Sequence, residues 1–289
     1  MQAREVRDFW LVALKSEGAR PDTLRSYREH SDLLLRHLGE RELSPFTIRA
    51  FLSDYADGHA NASLRTVFTS IRAWLRWAAR ESLLPEAVLT GLRPPKKEDA
   101  PKRVYASGQL QALFRILEAE RTPLGLRDYA LVALLADTGL RATEACSVTL
   151  AHLQDGAISI RHSKGRRPRS VFLGRAAEKA VARYLASGRP RLRPRCEALL
   201  VSQDGTEITR NTVRLALNRL SVKVGFKLSA HRFRHTWTTL LLRRGADLET
   251  LRQLGGWADY SVIKTYAHLA DGDLRAAQER LSPLDGLRL

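Results

Sequence analysis

Apolar residues recur every three or four positions along most of this chain, the spacing of helices that bury one face. Only short runs in its middle alternate as strands do. Near the N-terminus, Phe9, Trp10, Leu11, Val12 and Leu14 predict a buried first helix, closed by Gly18. Asp22-Thr23 is placed to cap a second, with Leu24, Tyr27, Leu34, Leu35 and Leu38 along one side. Ser44-Pro45 reads as a cap followed by proline at the first helical position, opening a third helix through Tyr55. A fourth runs from Asn61 to Arg80 with Val67, Ile71, Trp74, Leu75 and Trp77 toward a core. Indoles at helical spacing belong to packing before they belong to base stacking.

Residues 94–104 interrupt the pattern with three prolines and a charge run. Proline lacks a backbone donor and restricts its predecessor, so an extended linker is expected between a domain at 1–93 and one at 105–289. Beyond it Ser107 is expected to cap a helix to Ala119, and an apolar helix spans Arg127 to Asp137. Ala157–Ile160 and 170–173 predict strands of a hairpin around 161–169, and 198–201 a further strand. Helices follow at about 174–187, 209–224, 229–244 (capped by Ser229), 247–254, 260–269 and 272–281. The expected fold class is mainly α with a small antiparallel β-sheet, in two domains.

Charge sharpens this picture. The net charge is +17; residues 1–93 carry 14 Lys and Arg against 12 Asp and Glu, so nearly all the excess lies beyond them. Such an imbalance points to a polyanion, through counterion release on phosphate contact. A merely solubilising surface is the alternative. The two cysteines, Cys146 and Cys196, make neither a disulfide framework nor a zinc spacing, which suits a reducing cytosol. No apolar run is long enough for a membrane span, and no metal-ligand motif is present.

The chemistry-bearing residues lie in the basic part. Arg141 follows Gly139 in Thr138-Gly139-Leu140-Arg141, with Glu144 one helical turn on, able to orient a guanidinium or form only a surface pair. Lys164 sits at the expected hairpin tip among Arg161, Arg166, Arg167 and Arg169, which are candidate DNA contacts or solvated charges. His231 and Arg234, at i and i+3, share a helix face beside the Ser229 cap. His235 is read as pointing elsewhere, a packing or hydrogen-bonding residue. Trp257 follows Gly255-Gly256, and Tyr266 comes nine residues later. A phenol is a weak nucleophile at neutral pH and needs cationic neighbours and a base.

Together these motifs resemble the tyrosine recombinase (phage integrase) family, over nearly the whole chain. The resemblance implies a helical, SAM-like core-binding domain and an α+β catalytic domain that close round double-stranded DNA. It implies that Tyr266 attacks the scissile phosphate to give a 3′-phosphotyrosyl link, with no metal or other cofactor. Arg141, Arg234 and Trp257 would cradle the non-bridging oxygens, Trp257 standing where many members have histidine. Lys164 would protonate the leaving 5′-oxygen, His231 would assist proton transfer at the tyrosine, and Glu144 would support Arg141. Four protomers, alike or of two related recombinases, would assemble on two sites, a last helix around Leu274, Leu281 and Leu284 docking on the neighbour. Because the chain opens directly on core-binding helices, an Xer-type role in resolving chromosome or plasmid dimers is expected. A mobile-element integrase, a type IB topoisomerase and a non-catalytic DNA-binding protein are the alternatives.

Overall fold

A computed structural model describes residues 2–97, 103–160 and 168–267. The chain divides into two compact units, Met1–Pro101 and Lys102–Leu289, each with its own core.

The first unit packs four helices: α1 (Ala3–Ser16), α2 (Pro21–Leu38), α3 (Pro45–Gly58) and α4 (Asn61–Arg80). Its core joins Trp10, Leu34, Ile48, Phe51, Ile71, Trp74 and Leu75. The first helix corrects the expectation from sequence. Phe9 and Val12 are 54% and 66% exposed, while Val6, Trp10 and Leu11 are buried. At 100° per residue a run of neighbouring apolar side chains cannot all face one way. Arg7 is buried beside them, its Nε donating to Asp8 at 2.8 Å and its Nη1 bound by Asp32. The second helix begins two residues earlier than a cap at Asp22 would set it, because Pro21 takes its first position with Arg20 as the cap. Ser44 caps α3 as expected, accepting from the Thr47 N–H at 3.2 Å. Of the proline-rich stretch, the carbonyls of Pro95 and Lys96 accept from Arg65 and Asn61 of α4, while residues 98–102 lie outside the described residues.

The second unit is built on α6 (Pro123–Thr138), which follows α5 (Ser107–Ala119) and is buried on nearly every side from Leu126 to Leu135. Thr122 caps α6 through the Gly125 N–H at 3.0 Å. Ser107 is the first residue of α5 rather than its cap; Gln109 accepts the Ala106 N–H instead, at 3.1 Å. After the short α7 (Ala142–Ser147) comes an antiparallel sheet in the order β1 (Leu153–Gln154), β2 (Ala157–Ile160), β3 (Arg169–Phe172). Leu153 pairs with Ile158 and Ile158 with Val171, so the inward face of the sheet closes the core. The strand expected at 198–201 is absent as such: only isolated bridges form, Thr149 with Ala198 and Val201 with Glu207. Side chains satisfy this backbone instead. Tyr184 accepts the Val201 N–H at 3.2 Å, and Arg189 donates to the Ala198 carbonyl at 3.0 Å. The remaining helices are α8 (Arg175–Arg183), α9 (Arg210–Val224), α10 (Ala230–Arg243), α11 (Leu248–Gly255) and α12 (Ser261–Ala267). Residues 161–167 and 268–289, with the expected hairpin tip and final helix, lie outside the described residues. Among the described residues no helix is long and apolar enough to cross a membrane.

Candidate active site

Two chain turns, strand β3 and helices α10 and α12 converge in the second unit. The first turn ends α6 at Gly139, in the left-handed region at φ 61° and ψ 22°. A Cβ there would lie 2.3 Å from the Trp237 ring, so only glycine fits. The chain leaves this turn to place Arg141 as the cap residue of α7. Its backbone N–H donates to Glu144 Oε2 at 2.9 Å, and its Nη1 to Glu144 Oε1 at 3.0 Å. The orienting role open to Glu144 from its spacing is therefore the one its geometry adopts.

Arg169, on β3, meets the same carboxylate as a fork, Nη1 to Oε1 at 3.1 Å and Nη2 to Oε2 at 2.9 Å. Its Nε donates to the Leu254 carbonyl at 2.9 Å. Sequence placed Arg169 among DNA-facing cations; it is instead buried, with a side chain 7% exposed, clamping β3 to α7 and α11. Burial alone would push the Glu144 carboxyl up, but hydrogen bonds from Arg169, then its charge and Arg141, hold it down at about 2.

The second turn, Gly255-Gly256, ends α11. A Cβ on Gly255 would meet the Trp257 ring at 1.9 Å; one on Gly256 would meet Arg169 Nη1 at 2.7 Å. Both glycines are thus required by what packs on them. Arg234, from α10, staples the two turns together: Nη1 donates to the Gly139 carbonyl at 2.8 Å and Nη2 to the Gly255 carbonyl at 2.5 Å. Its guanidinium lies 4.2 Å above the Trp257 ring, a cation–π contact. Burial, with Arg141 adding repulsion, lowers its pKa to about 9, which leaves it charged at neutral pH. Three guanidinium groups against one carboxylate make the pocket suited to an anion.

Tyr266, on α12, is buried, and its hydroxyl is hydrogen-bonded to Nδ1 of His235. Burial pushes the phenol up to about 12, against the pull of Arg234's charge. His231, one turn before His235, is exposed, its ring edge-to-face with that of His235 at 4.0 Å. The reading of His235 as pointing elsewhere is corrected: α10 sends Arg234 into the pocket and His235 to the tyrosine. The sequence signal that could have found it was its one-turn spacing from His231. The structure thus brings together Arg141, Glu144, Arg234, Trp257 and Tyr266, with His231 beside them through His235. Lys164, Arg161, Arg166 and Arg167 lie outside the described residues. Among the described residues no cluster of three or more His, Cys, Asp or Glu is placed to hold a metal ion.

Residues 104–273 match the phage integrase family model. The chain is 30% identical over 243 residues to the tyrosine recombinase XerC of Anoxybacillus flavithermus, covering 81% of each chain. It is 29% identical over 289 residues to the tyrosine recombinase XerD of Lacticaseibacillus casei, covering 96% of this chain and 98% of the relative. A crystal structure of a lambda integrase dimer bound to a COC′ core site is similar at a TM-score of 0.74, with 17% identity over 91% of this chain and 97% of that one. At that identity the likeness is one of fold alone.

Proposed function

The chain belongs to the phage integrase family and is a tyrosine recombinase, and from that premise we propose that it resolves chromosome or plasmid dimers by site-specific exchange between two double-stranded DNA sites. Tyr266 is the nucleophile and forms a 3′-phosphotyrosyl link while a 5′-hydroxyl leaves. Arg141 and Arg234 balance the charge that develops on the non-bridging oxygens, and the Trp257 indole N–H donates to one of them. Lys164 protonates the leaving oxygen, and His231 assists proton transfer at the tyrosine. The energy of the broken linkage is kept in the phosphotyrosine, so rejoining needs no nucleotide. Exchange calls for four protomers, alike or of two related recombinases, in the cytoplasm.

The observation that carries this reading is Arg234. One buried guanidinium spans the carbonyls of Gly139 and Gly255, covers Trp257 and, by its charge, pulls against the upward shift that burial gives the Tyr266 phenol. A domain that only bound DNA would need no such charge beside a buried phenol. The dimer-resolving role is supported by the XerC and XerD relatives, whose match extends over most of their own length. A phage or transposon integrase is the second reading, favoured by the phage integrase family model that residues 104–273 match.

Incubating the protein with fragments of its source genome and sequencing those joined to Tyr266 tests this. Attachment at one chromosomal locus, with conversion of plasmid dimers carrying that locus to monomers, is expected. Attachment at the two ends of a mobile segment would replace it with the integrase reading, and sequence-independent relaxation of supercoils with a topoisomerase.

A further inference from the structure

The phenol of Tyr266 faces a specific difficulty. Burial holds its pKa near 12, so at neutral pH almost none of it is phenolate. A buried phenol with that character cannot attack phosphorus unless a group within hydrogen-bond reach removes its proton during the step. Among the described residues, His235 reaches its oxygen through Nδ1. The two rings stand 5.4 Å apart at 45°, so the contact is made edge-on at the hydroxyl and is not simple ring stacking. His235 is partly buried, whereas His231, its edge-to-face neighbour at 4.0 Å, is exposed. The phenol therefore meets one imidazole directly, and that imidazole packs against a second, exposed one.

We propose that His235 is a catalytic residue of this site, taking the Tyr266 proton on Nδ1 as the phenol oxygen attacks phosphorus and holding it until the reverse step. The inference rests on Tyr266 being the nucleophile. The O–H bond of Tyr266 breaks and its electron pair forms the new O–P bond; the bond from phosphorus to the 5′-oxygen breaks, and that oxygen takes a proton from the acid opposite. His235 becomes imidazolium and returns the proton to the phenol when the 5′-hydroxyl re-attacks. The role requires the tautomer of His235 that carries its proton on Nε2. Among the described residues, the charged and titratable groups facing this arrangement include His231 on α10, Tyr266 on α12 and the guanidinium of Arg234, whose charge acts on the phenol.

The test compares the native chain with His235→Asn and His235→Ala, each carrying tyrosine or 3,5-difluorotyrosine at position 266. The probe is pooled double-stranded fragments of the source genome, read as the single-turnover rate of covalent attachment. Asparagine can occupy the place of Nδ1 and keep a hydrogen bond, but it cannot take up a proton. Both substitutions are expected to slow attachment on the order of 10²-fold, Asn as badly as Ala. Difluorotyrosine, a more acidic phenol, is expected to recover most of that loss. Native rates with Asn, or a loss of the same size with difluorotyrosine, would overturn the proton-transfer role and leave His235 as a positioning group. Without DNA, the 19F titration of the difluorophenol is expected to move in His235→Asn; an unmoved titration would overturn the coupling itself. If the native chain attaches to no fragment although that titration moves, the nucleophile reading fails, and this inference with it.

Discussion

Glu144 and Arg169, twenty-five residues apart, meet as two parallel hydrogen bonds of 3.1 and 2.9 Å between nearly buried side chains. The pair ties β3 to α7 and leaves the carboxylate placed to hold Arg141 as well. Removing one partner of a buried ion pair costs about 3–5 kcal/mol, because the other charge is left uncompensated. Glu144→Gln is therefore expected to destabilise the second unit by that order at pH 7. The folded carboxyl titrates at about 2 and the unfolded one at 4.5. Its contribution is thus complete above about 4.5 and is lost as pH falls toward 2, amounting to about 3 kcal/mol. Urea melts at pH 7 and pH 3 check this: the gap between native and variant should narrow in acid, and a constant gap would exclude the ionised pair.

Arg234→Lys keeps a positive charge but cannot span two carbonyls 116 residues apart in sequence. The Gly139 and Gly255 carbonyls lose their shared donor, costing about 1–3 kcal/mol. Covalent attachment to DNA should fall by 10²-fold or more, as expected for loss of a preorganised donor to developing charge. Arg232 lies on the same helix but stacks on Tyr105 at 4.2 Å and donates to the Val104 carbonyl at 2.9 Å. Arg232→Ala should lower the melting temperature and leave attachment nearly intact. Equal losses of attachment in the two variants would contradict the assignment of Arg234 to the site.

Gly139→Ala places a methyl 2.3 Å from the Trp237 ring at a residue with φ 61°. Strain of this kind costs on the order of 1–3 kcal/mol before any clash is counted. A lower thermal midpoint is expected, together with loss of attachment, since the same turn carries Arg141 and the carbonyl that receives Arg234. An unchanged midpoint would mean the turn is not held as described.

Trp257→Phe separates the two jobs given to the indole. A phenyl ring preserves an aromatic face beneath Arg234, while the N–H donor is gone. The variant should melt close to the native protein yet attach to DNA about 10²-fold more slowly. Native attachment rates would show that the N–H does not reach the phosphate.

Much of this was legible in the chain because the signals were local. The caps Ser44 and Ser229, the helix spacing around Trp74 and the Gly139 and Gly255-Gly256 breaks each depend on residues within a turn or two. The hairpin of β1 and β2 is equally local: Asp155-Gly156, with φ of 47° and 70°, is a strong two-residue turn signal. What stayed hidden was tertiary. Nothing in the run from 161 to 169 distinguishes Arg169 from its neighbours; only the approach of β3 to α7 buries it against Glu144. In the same way, His235 reads as the residue beside the useful arginine until α12 brings Tyr266 over it. The exposure of Phe9 and Val12 likewise follows from which side of α1 the other helices take.

The decisive measurement locates the covalent bond. Native protein incubated with genomic fragments, quenched, digested and sequenced by mass spectrometry should carry the nucleotide on the peptide containing Tyr266. Tyr266→Phe should still retard those fragments in a gel but yield no adduct. An adduct on any other residue, or one that survives in Tyr266→Phe, would contradict the assignment of the nucleophile and the function built on it.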